Sequence, residues 1–331
     1  MAVLVTGAAG FIGAATSRAL LERGDEVVGI DNLSDYYDPK LKEARLKELE
    51  MFGDRFRFGR VDFADARALK EFTDEMDIAA IVHLGAQAGV RYSLENPQAY
   101  VQSNLVGHCN LLELARARRP RHMVYASSSS VYGGNMSLPF RVEDRVDHPL
   151  SLYAATKKAD ELMSESYANI YRLPLTGLRF FTVYGPWGRP DMAMWIFLKA
   201  LYAGEPLPLF NGGEMRRDFT YIDDIVRGVV VCLDGPPADD GHVKAGGSTG
   251  PHALYNIGNS RTEDLMRVVE LLEEATGLKA LLDPLPMQVG EARETFADVS
   301  AIERDHGFSP MTSIEEGVPR FVEWYREYHR P

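Results

Sequence analysis

Cysteine is almost absent from this chain. Only Cys109 and Cys232 occur among 331 residues, both in apolar segments. They predict core residues of a reducing compartment, with neither a disulfide framework nor a thiolate metal site. Basic residues are also short, 36 Lys and Arg against 48 Asp and Glu, for a formal net charge of −12. That balance argues against nucleic acid or an anionic membrane as a main partner. An anionic ligand would have to be met by local arginines and helix N-termini. The eight histidines show no metal-ligand spacing, so no metal is expected. Trp187, Trp195 and Trp324 read as packing groups. The first residues run straight into a strand pattern, which predicts no signal peptide or membrane anchor and a soluble, cytoplasmic protein.

Glycine, by contrast, is placed with purpose. The opening stretch 3–13, VLVTGAAGFIG, is an apolar strand that enters glycines spaced G-x-x-G-x-x-G and then a helical pattern. Gly7, Gly10 and Gly13 permit a tight turn and close approach to a pyrophosphate, whose charge sits on the helix N-terminus beside Phe11 and Ile12. The next strand, 26–30, ends in Asp31, at the spacing a dinucleotide site requires. A carboxylate there binds ribose hydroxyls and repels an extra phosphate, so NAD is expected rather than NADP.

The second constellation is the stretch 127–133, SSSSVYG, followed by Tyr153 and Lys157. Residues four apart on a helix share one side. A free tyrosine has a pKa of about 10, too high for a base at neutral pH, and a neighbouring ammonium favours the phenolate. Tyr153 and Ser128 would share the proton of a substrate hydroxyl while Lys157 also holds the cofactor ribose. This is equipment for removing hydride from an alcohol carbon.

Strand-like runs at 2–6, 26–30, 56–61, 79–84, 122–126 and 175–180 alternate with helical patterns at 39–51, 66–75, 97–118 and 152–171. The alternation predicts an α/β protein, a doubly wound parallel sheet of Rossmann type. Residues 1–180 are expected to form the cofactor domain. Residues 181–331, richer in short pieces, should form mainly a smaller substrate-binding lobe, with segments able to interleave. The aperiodic stretch 235–251 reads as a mobile surface excursion of that lobe. Helices 97–118 and 152–171 carry apolar residues beyond one face, which suits pairing with a second subunit.

Longer strings carry a resemblance over nearly the whole chain: 29–38 (GIDNLSDYYD), 85–93 (GAQAGVRYS), 151–159 (SLYAATKKA), 178–192 (LRFFTVYGPWGRPDM) and 217–224 (RDFTYIDD). With them the chain resembles the extended short-chain dehydrogenase/reductases acting on nucleotide sugars, and within these the UDP-glucuronate 4-epimerases. The resemblance implies tightly held NAD, a UDP-sugar substrate, a homodimer, and catalysis by Tyr153, Lys157 and Ser128. It implies cofactor contacts from Asn32, Asp62, Phe63, Leu84 and Ala86 besides the glycine loop and Asp31. Asp62 would contact the adenine, its other reading being a helix cap; Asn104 would touch cofactor or substrate, or simply pack. Substrate contacts would come from Ser128, Ser129, Ser130, Thr182 and the arginines Arg91, Arg189, Arg217 and Arg293. At Arg293 the local string 290–298, GEARETFAD, departs from the family's common Gly-Asp-Val-Pro pattern.

The two positions before Val131 separate activities within the family. Dehydratase relatives carry acids at both, and UDP-glucuronate decarboxylases carry Glu immediately before the Val. Here both are hydroxyls, Ser129 and Ser130, so the reading is C4 epimerisation of UDP-glucuronate through a 4-keto intermediate. The alternatives are a C4 epimerase of another UDP-sugar, such as UDP-glucose or UDP-N-acetylglucosamine, a UDP-glucuronate decarboxylase, and a non-catalytic dinucleotide-binding regulator.

Overall fold

The computed structural model describes residues 2–288, 290 and 292–330. Its centre is a seven-stranded parallel sheet. The first half supplies β1 (Ala2–Thr6), β2 (Val27–Asp31), β3 (Phe56–Arg60), β4 (Ile78–His83), β5 (Met123–Ser128) and β6 (Leu175–Phe180), within a few residues of each expected strand. Residues of β2 and β6 are buried throughout, as strands covered on both faces must be. Along β1 the pleat sends Val3 and Val5 into one apolar cluster and Leu4 into the other.

Helices cover the two faces. α1 (Phe11–Arg23) starts on Gly10 and stops at Gly24, whose φ of 104° suits a residue without Cβ. α2 (Pro39–Leu49) is capped by Asp38 and passes into a 3₁₀ segment, Glu50–Arg55, so the helix is shorter than 39–51. α3 (Ala66–Thr73) follows an Asp65 cap. The expected helix 97–118 is helical at every residue but is not α-helical throughout. A short α4 (Tyr92–Glu95) and α5 (Pro97–Tyr100) lead into a π-helical turn, Val101–Val106, before α6 (Gly107–Arg118). Apolar periodicity cannot register a change of hydrogen-bond partner from i−4 to i−5. α7 (Leu152–Tyr171) runs unbroken from a Ser151 cap.

The chain then forms β7 (Thr182–Tyr184), α8 (Ala193–Ala203), β8 (Pro206–Phe210), β9 (Arg216–Arg217) and β10 (Phe219–Tyr221). It returns to the large layer with α9 (Ile222–Asp234), packed on α1, and β11 (His252–Ile257), the strand beside β6. The sheet order is β3-β2-β1-β4-β5-β6-β11. So the large layer draws on sequence well past residue 180. The stretch 235–251 therefore joins two elements of the large layer and is not part of the smaller lobe. It is also tied down: Ser248 Oγ donates to Glu165 on α7 at 2.8 Å, and Arg172 pairs with Asp239.

The smaller lobe adds β12 (Glu263–Asp264) against β9, α10 (Leu265–Thr276), β13 (Leu281–Leu285) against β8, α11 (Ser300–His306) and α12 (Ile314–His329). Trp195 and Trp187 pack on Trp324 of α12, at 5.4 and 5.2 Å between ring centres. Asp218, fully buried, fastens the lobe by accepting from the amides of Asn259 (2.6 Å) and Ala297 (3.1 Å) and from Thr220 Oγ1 (3.1 Å). Strand order reverses at β1 and β4, which opens a crevice at their carboxyl ends.

Candidate active site

A cleft of about 700 Å³ occupies that crevice and continues under the smaller lobe. At one end lies the glycine turn. Gly7 has a φ of +68°, and a Cβ there would stand 2.7 Å from the backbone of Gly85 at the end of β4. A Cβ on Gly13 would stand 2.0 Å from the Gly7 carbonyl oxygen. Only glycine allows β1, α1 and β4 to converge this closely. The first turn of α1 has no side-chain cap and no acidic residue, so its amides face the cleft with their positive end unopposed.

Asp31 closes the same end. Its carboxylate accepts from Ala9 N at 3.2 Å and Leu33 N at 2.8 Å, which fixes its orientation. Asn32, Phe63, Leu84 and Ala86 also line the cleft, with Gly10, Phe11 and Ile12. Asp62 does not. It caps the following turn at Ala64 N and accepts from Asn32 Nδ2 at 3.2 Å, so it reaches the cleft only through Asn32. Asn104 is likewise buried packing: it exchanges hydrogen bonds with the Gln87 backbone at 2.9 and 3.0 Å and donates to Thr156 Oγ1 at 2.9 Å. It ties the loop after β4 to α7.

The middle of the cleft holds Tyr153, Lys157, Ser128, Ser129, Ser130 and Thr182. Ser128 ends β5, and its Oγ accepts from Ser130 N at 3.1 Å, setting the hydroxyl row on one short 3₁₀ turn. Lys157 is buried. Its Nζ donates to the Ala126 carbonyl and to Asp160 Oδ2, each at 3.0 Å, leaving one proton for a ligand. Burial pushes the Asp160 carboxyl up to about 6, against the pull of Lys157. Burial and the charge of Lys157 hold His83 down to about 3, so it stays neutral beneath the site.

Across the cleft, on the loop after β7, Arg189 grips Asp191 through two bonds of 3.0 and 2.7 Å. Asp191 also accepts from Tyr36 at 3.1 Å. Burial acts upward on Asp191, but the guanidinium prevails and its carboxyl lies below the usual range. Burial and Asp191 push the Tyr36 hydroxyl up to about 12. Arg217 lines the cleft from β9, and Arg91 lies over the Phe210 ring at 5.5 Å. Arg293 does not line it. Its side chain is 72% exposed and points to Glu214, while its carbonyl accepts from Arg217 Nη1 at 3.0 Å. Among the described residues no cluster of His, Cys, Asp and Glu could hold a metal ion.

Three participants were not singled out from sequence. Tyr36 and Asp191 stand inside quoted blocks, and only the fold shows that they meet. Arg45 of α2 is buried and donates to the carbonyls of Ala9, Trp187 and Gly188 at 2.7–3.0 Å, which joins the glycine turn to the loop bearing Arg189. A cation inside a charged helix pattern gives no sign that it is buried.

Residues 3–258 match the NAD dependent epimerase/dehydratase family. The chain belongs to that family. A probable UDP-glucuronate 4-epimerase of Rhizobium meliloti (strain 1021) is 47% identical over 336 residues, spanning 100% of this chain and 98% of the relative. UDP-glucuronate 4-epimerase 1 of Arabidopsis thaliana is 46% identical over 99% of this chain and 77% of its own length. The solved UDP-glucuronic acid 4-epimerase of Bacillus cereus, in complex with UDP-glucuronic acid and NAD, matches with a TM-score of 0.86 at 33% identity, over 99% of this chain and 100% of that one. The residues present fit the cofactor of the epimerase/dehydratase family: a cradle that any Cβ would fill, an uncapped helix N-terminus and an oriented ribose-side carboxylate.

Proposed function

We propose that this chain interconverts UDP-glucuronate and UDP-galacturonate by inverting C4 through a transient 4-keto sugar, with NAD retained and regenerated. The observation that carries the choice among family chemistries is the set of carboxylates on the cleft. Among the described lining residues these are Asp31, Glu95 and Asp191. Asp31 lies at the cofactor end, Asp191 is paired with Arg189, and the positions before Val131 are hydroxyls. Dehydration and decarboxylation therefore lack their acid/base group where the family puts it.

Bound NAD would supply the acceptor and donor of hydride at C4. Tyr153 takes the C4 hydroxyl proton and returns it after the sugar has turned, with Ser128 hydrogen-bonded to the same oxygen. Lys157 offers its third proton to the cofactor ribose and its charge to the Tyr153 oxygen. Gly7, Gly10 and Gly13 receive the cofactor pyrophosphate, and Asp31 its ribose. Arg217, with Arg91 and Arg189 along the same wall, holds the anionic groups of the UDP-sugar. The oxidised sugar is a β-keto acid, which loses carbon dioxide when its carboxylate stands perpendicular to the carbonyl plane. Ser129, Ser130 and Thr182 hold that carboxylate away from this alignment. The protein works as a homodimer in a reducing, cytoplasmic setting, a reading supported by its two unpaired cysteines and by exposed apolar residues on α7.

The test is incubation with UDP-glucuronate, without added cofactor, followed by proton NMR of the sugar region. UDP-galacturonate without UDP-pentose is expected. UDP-xylose or its 4-keto precursor would replace this reading with decarboxylation. Turnover of UDP-glucose or UDP-N-acetylglucosamine alone would replace the substrate.

A further inference from the structure

Asp160 follows Lys157 by one helical turn, and the pair is sealed from water, with side-chain exposures of 0% and 3%. One carboxylate oxygen meets Lys157 Nζ at 3.0 Å, and the other, Oδ1, is buried with no hydrogen-bond partner. A buried carboxylate with half its acceptors unsatisfied is costly, and the carboxylate next to it on α7 is better served. Glu161, the adjacent residue, has both oxygens on Arg179 and a third bond from Ser127. Asp160 therefore adds little to stability for its cost. What it does hold is the ammonium of Lys157, which stands one helical turn from Tyr153 on α7 and lines the same cleft.

We propose that Asp160 is a positioning residue of the catalytic pair: its carboxylate fixes Lys157 Nζ against the Ala126 carbonyl and, by offsetting the ammonium charge, sets the pH range in which Tyr153 can accept a proton. The inference rests on the roles given above to Tyr153 and Lys157. The groups around Asp160 leave it as the variable member. Glu161 is ionised by its pairing with Arg179 on β6, and its carboxyl lies below the usual range although burial acts upward. His108 on α6 is held well below its ordinary value by burial and by His83 and Lys157, and Tyr125 on β5 is raised by burial. Of the buried set, only Asp160 is moved to about 6, where a change of protonation falls within a working pH range. Above that value the carboxylate opposes the lysine's effect on Tyr153, while Arg189, on the loop after β7, acts on the same phenol with a charge that is fixed over this range. Below it the opposition is lifted, so acid conditions that would protonate Tyr153 also strengthen the charge that resists its protonation. Asp160 would thus flatten the acid limb of activity.

The decisive comparison is wild type against Asp160→Asn, which keeps the shape and an acceptor oxygen for Lys157 but removes the charge. Asp160 lies seven residues beyond Tyr153, about 10 Å of helical rise. A unit charge at that range moves a titration by about one pH unit at the effective permittivity of a partly buried site. We expect the acid limb of kcat to move to lower pH by about one unit, roughly a tenfold gain on the limb above pH 6, with a plateau changed only a few-fold. Asp160→Val, neutral without the acceptor, should shift the limb in the same direction and lower the plateau further. Phenolate absorbance titration of both variants, each referenced to a version carrying Tyr153→Phe, should show the same downward shift and needs no substrate. Coincident limbs and titrations in wild type and Asp160→Asn, or an upward shift, would overturn the proposal. If no UDP-sugar is turned over by wild type, the function proposed above fails, and the absorbance titration still decides the role of Asp160.

Discussion

In the mechanism proposed above Tyr153 carries the proton, and its removal isolates that step from binding. Tyr153→Phe should lower kcat by about 10²–10⁴-fold, the range for losing a positioned proton-transfer group, while cofactor and UDP-sugar still bind. Single-turnover kinetics beside equilibrium titration of the nucleotide sugar would separate the two, and a matching loss of affinity would contradict the assignment. The serine row makes a different prediction. Replacing Ser129 and Ser130 together by alanine should release the oxidised intermediate into decarboxylation, seen as UDP-4-keto-pentose by mass spectrometry. A yield no greater than wild type would mean that the hydroxyls only shape a strand end. That Tyr153, Lys157, Ser128 and the glycines converge on one cleft was legible at the residue scale, because each carries a chemical reason for its spacing. Arg293 was not. Its string departs from the family pattern, and its guanidinium points to Glu214 at the surface, leaving its backbone to brace Arg217.

Elements hold these residues in place, and two of their junctions are exposed to test. The glycine turn admits no Cβ at position 13, where 2.0 Å would separate it from the Gly7 oxygen. Gly13→Ala must push α1 off β1, and it should weaken NAD binding at least about tenfold in Kd, the effect of roughly 1.4 kcal/mol, read by titrating NAD into apoprotein. The second junction joins α7 to β6 through Glu161 and Arg179, both about 1% exposed. Arg179→Met leaves a buried carboxylate without its partner, at a cost of about 3–5 kcal/mol. The folded-state titration of Glu161 is depressed, so its contribution is present above the unfolded carboxylate pKa and is lost as pH falls through the folded one. Denaturant melts at pH 7 and again in acid should therefore show the gap between wild type and Arg179→Met closing on acidification. Element type was legible from the apolar period, as in α7, expected at 152–171 and found at Leu152–Tyr171. The π turn at Val101–Val106 was not, since Gln87 and Thr156, which hold its Asn104, come from distant sequence.

For the whole molecule, the alternation demanded a parallel sheet, yet β11 escaped it, because a strand that joins β6 only after the chain has left for the smaller lobe and come back through α9 has no local signal of its destination. Assembly is the property still to be measured. Leu162 and Ile170 on α7 are 59% and 65% exposed, and Val106 at the end of the π turn is 39% exposed. Leu162 and Ile170 lie two helical turns apart and so share one face of α7. Burying an apolar face of this kind against a second copy is favoured by about 25 cal/mol per Å² removed from water. Charge opposes it: two chains of −12 repel, and that repulsion is screened over about 10 Å at 0.1 M salt. Light scattering should therefore report a dimer of the 36.9 kDa chain that tightens with added salt, the reverse of an assembly held by ion pairs. Leu162→Arg with Ile170→Arg should yield monomers. Every side chain that the proposed mechanism uses lies on this chain's own cleft, so those monomers should retain epimerase turnover to within a few-fold. Monomers that are folded but inactive would mean that the partner completes the site, and dimers that persist would move the interface to another face.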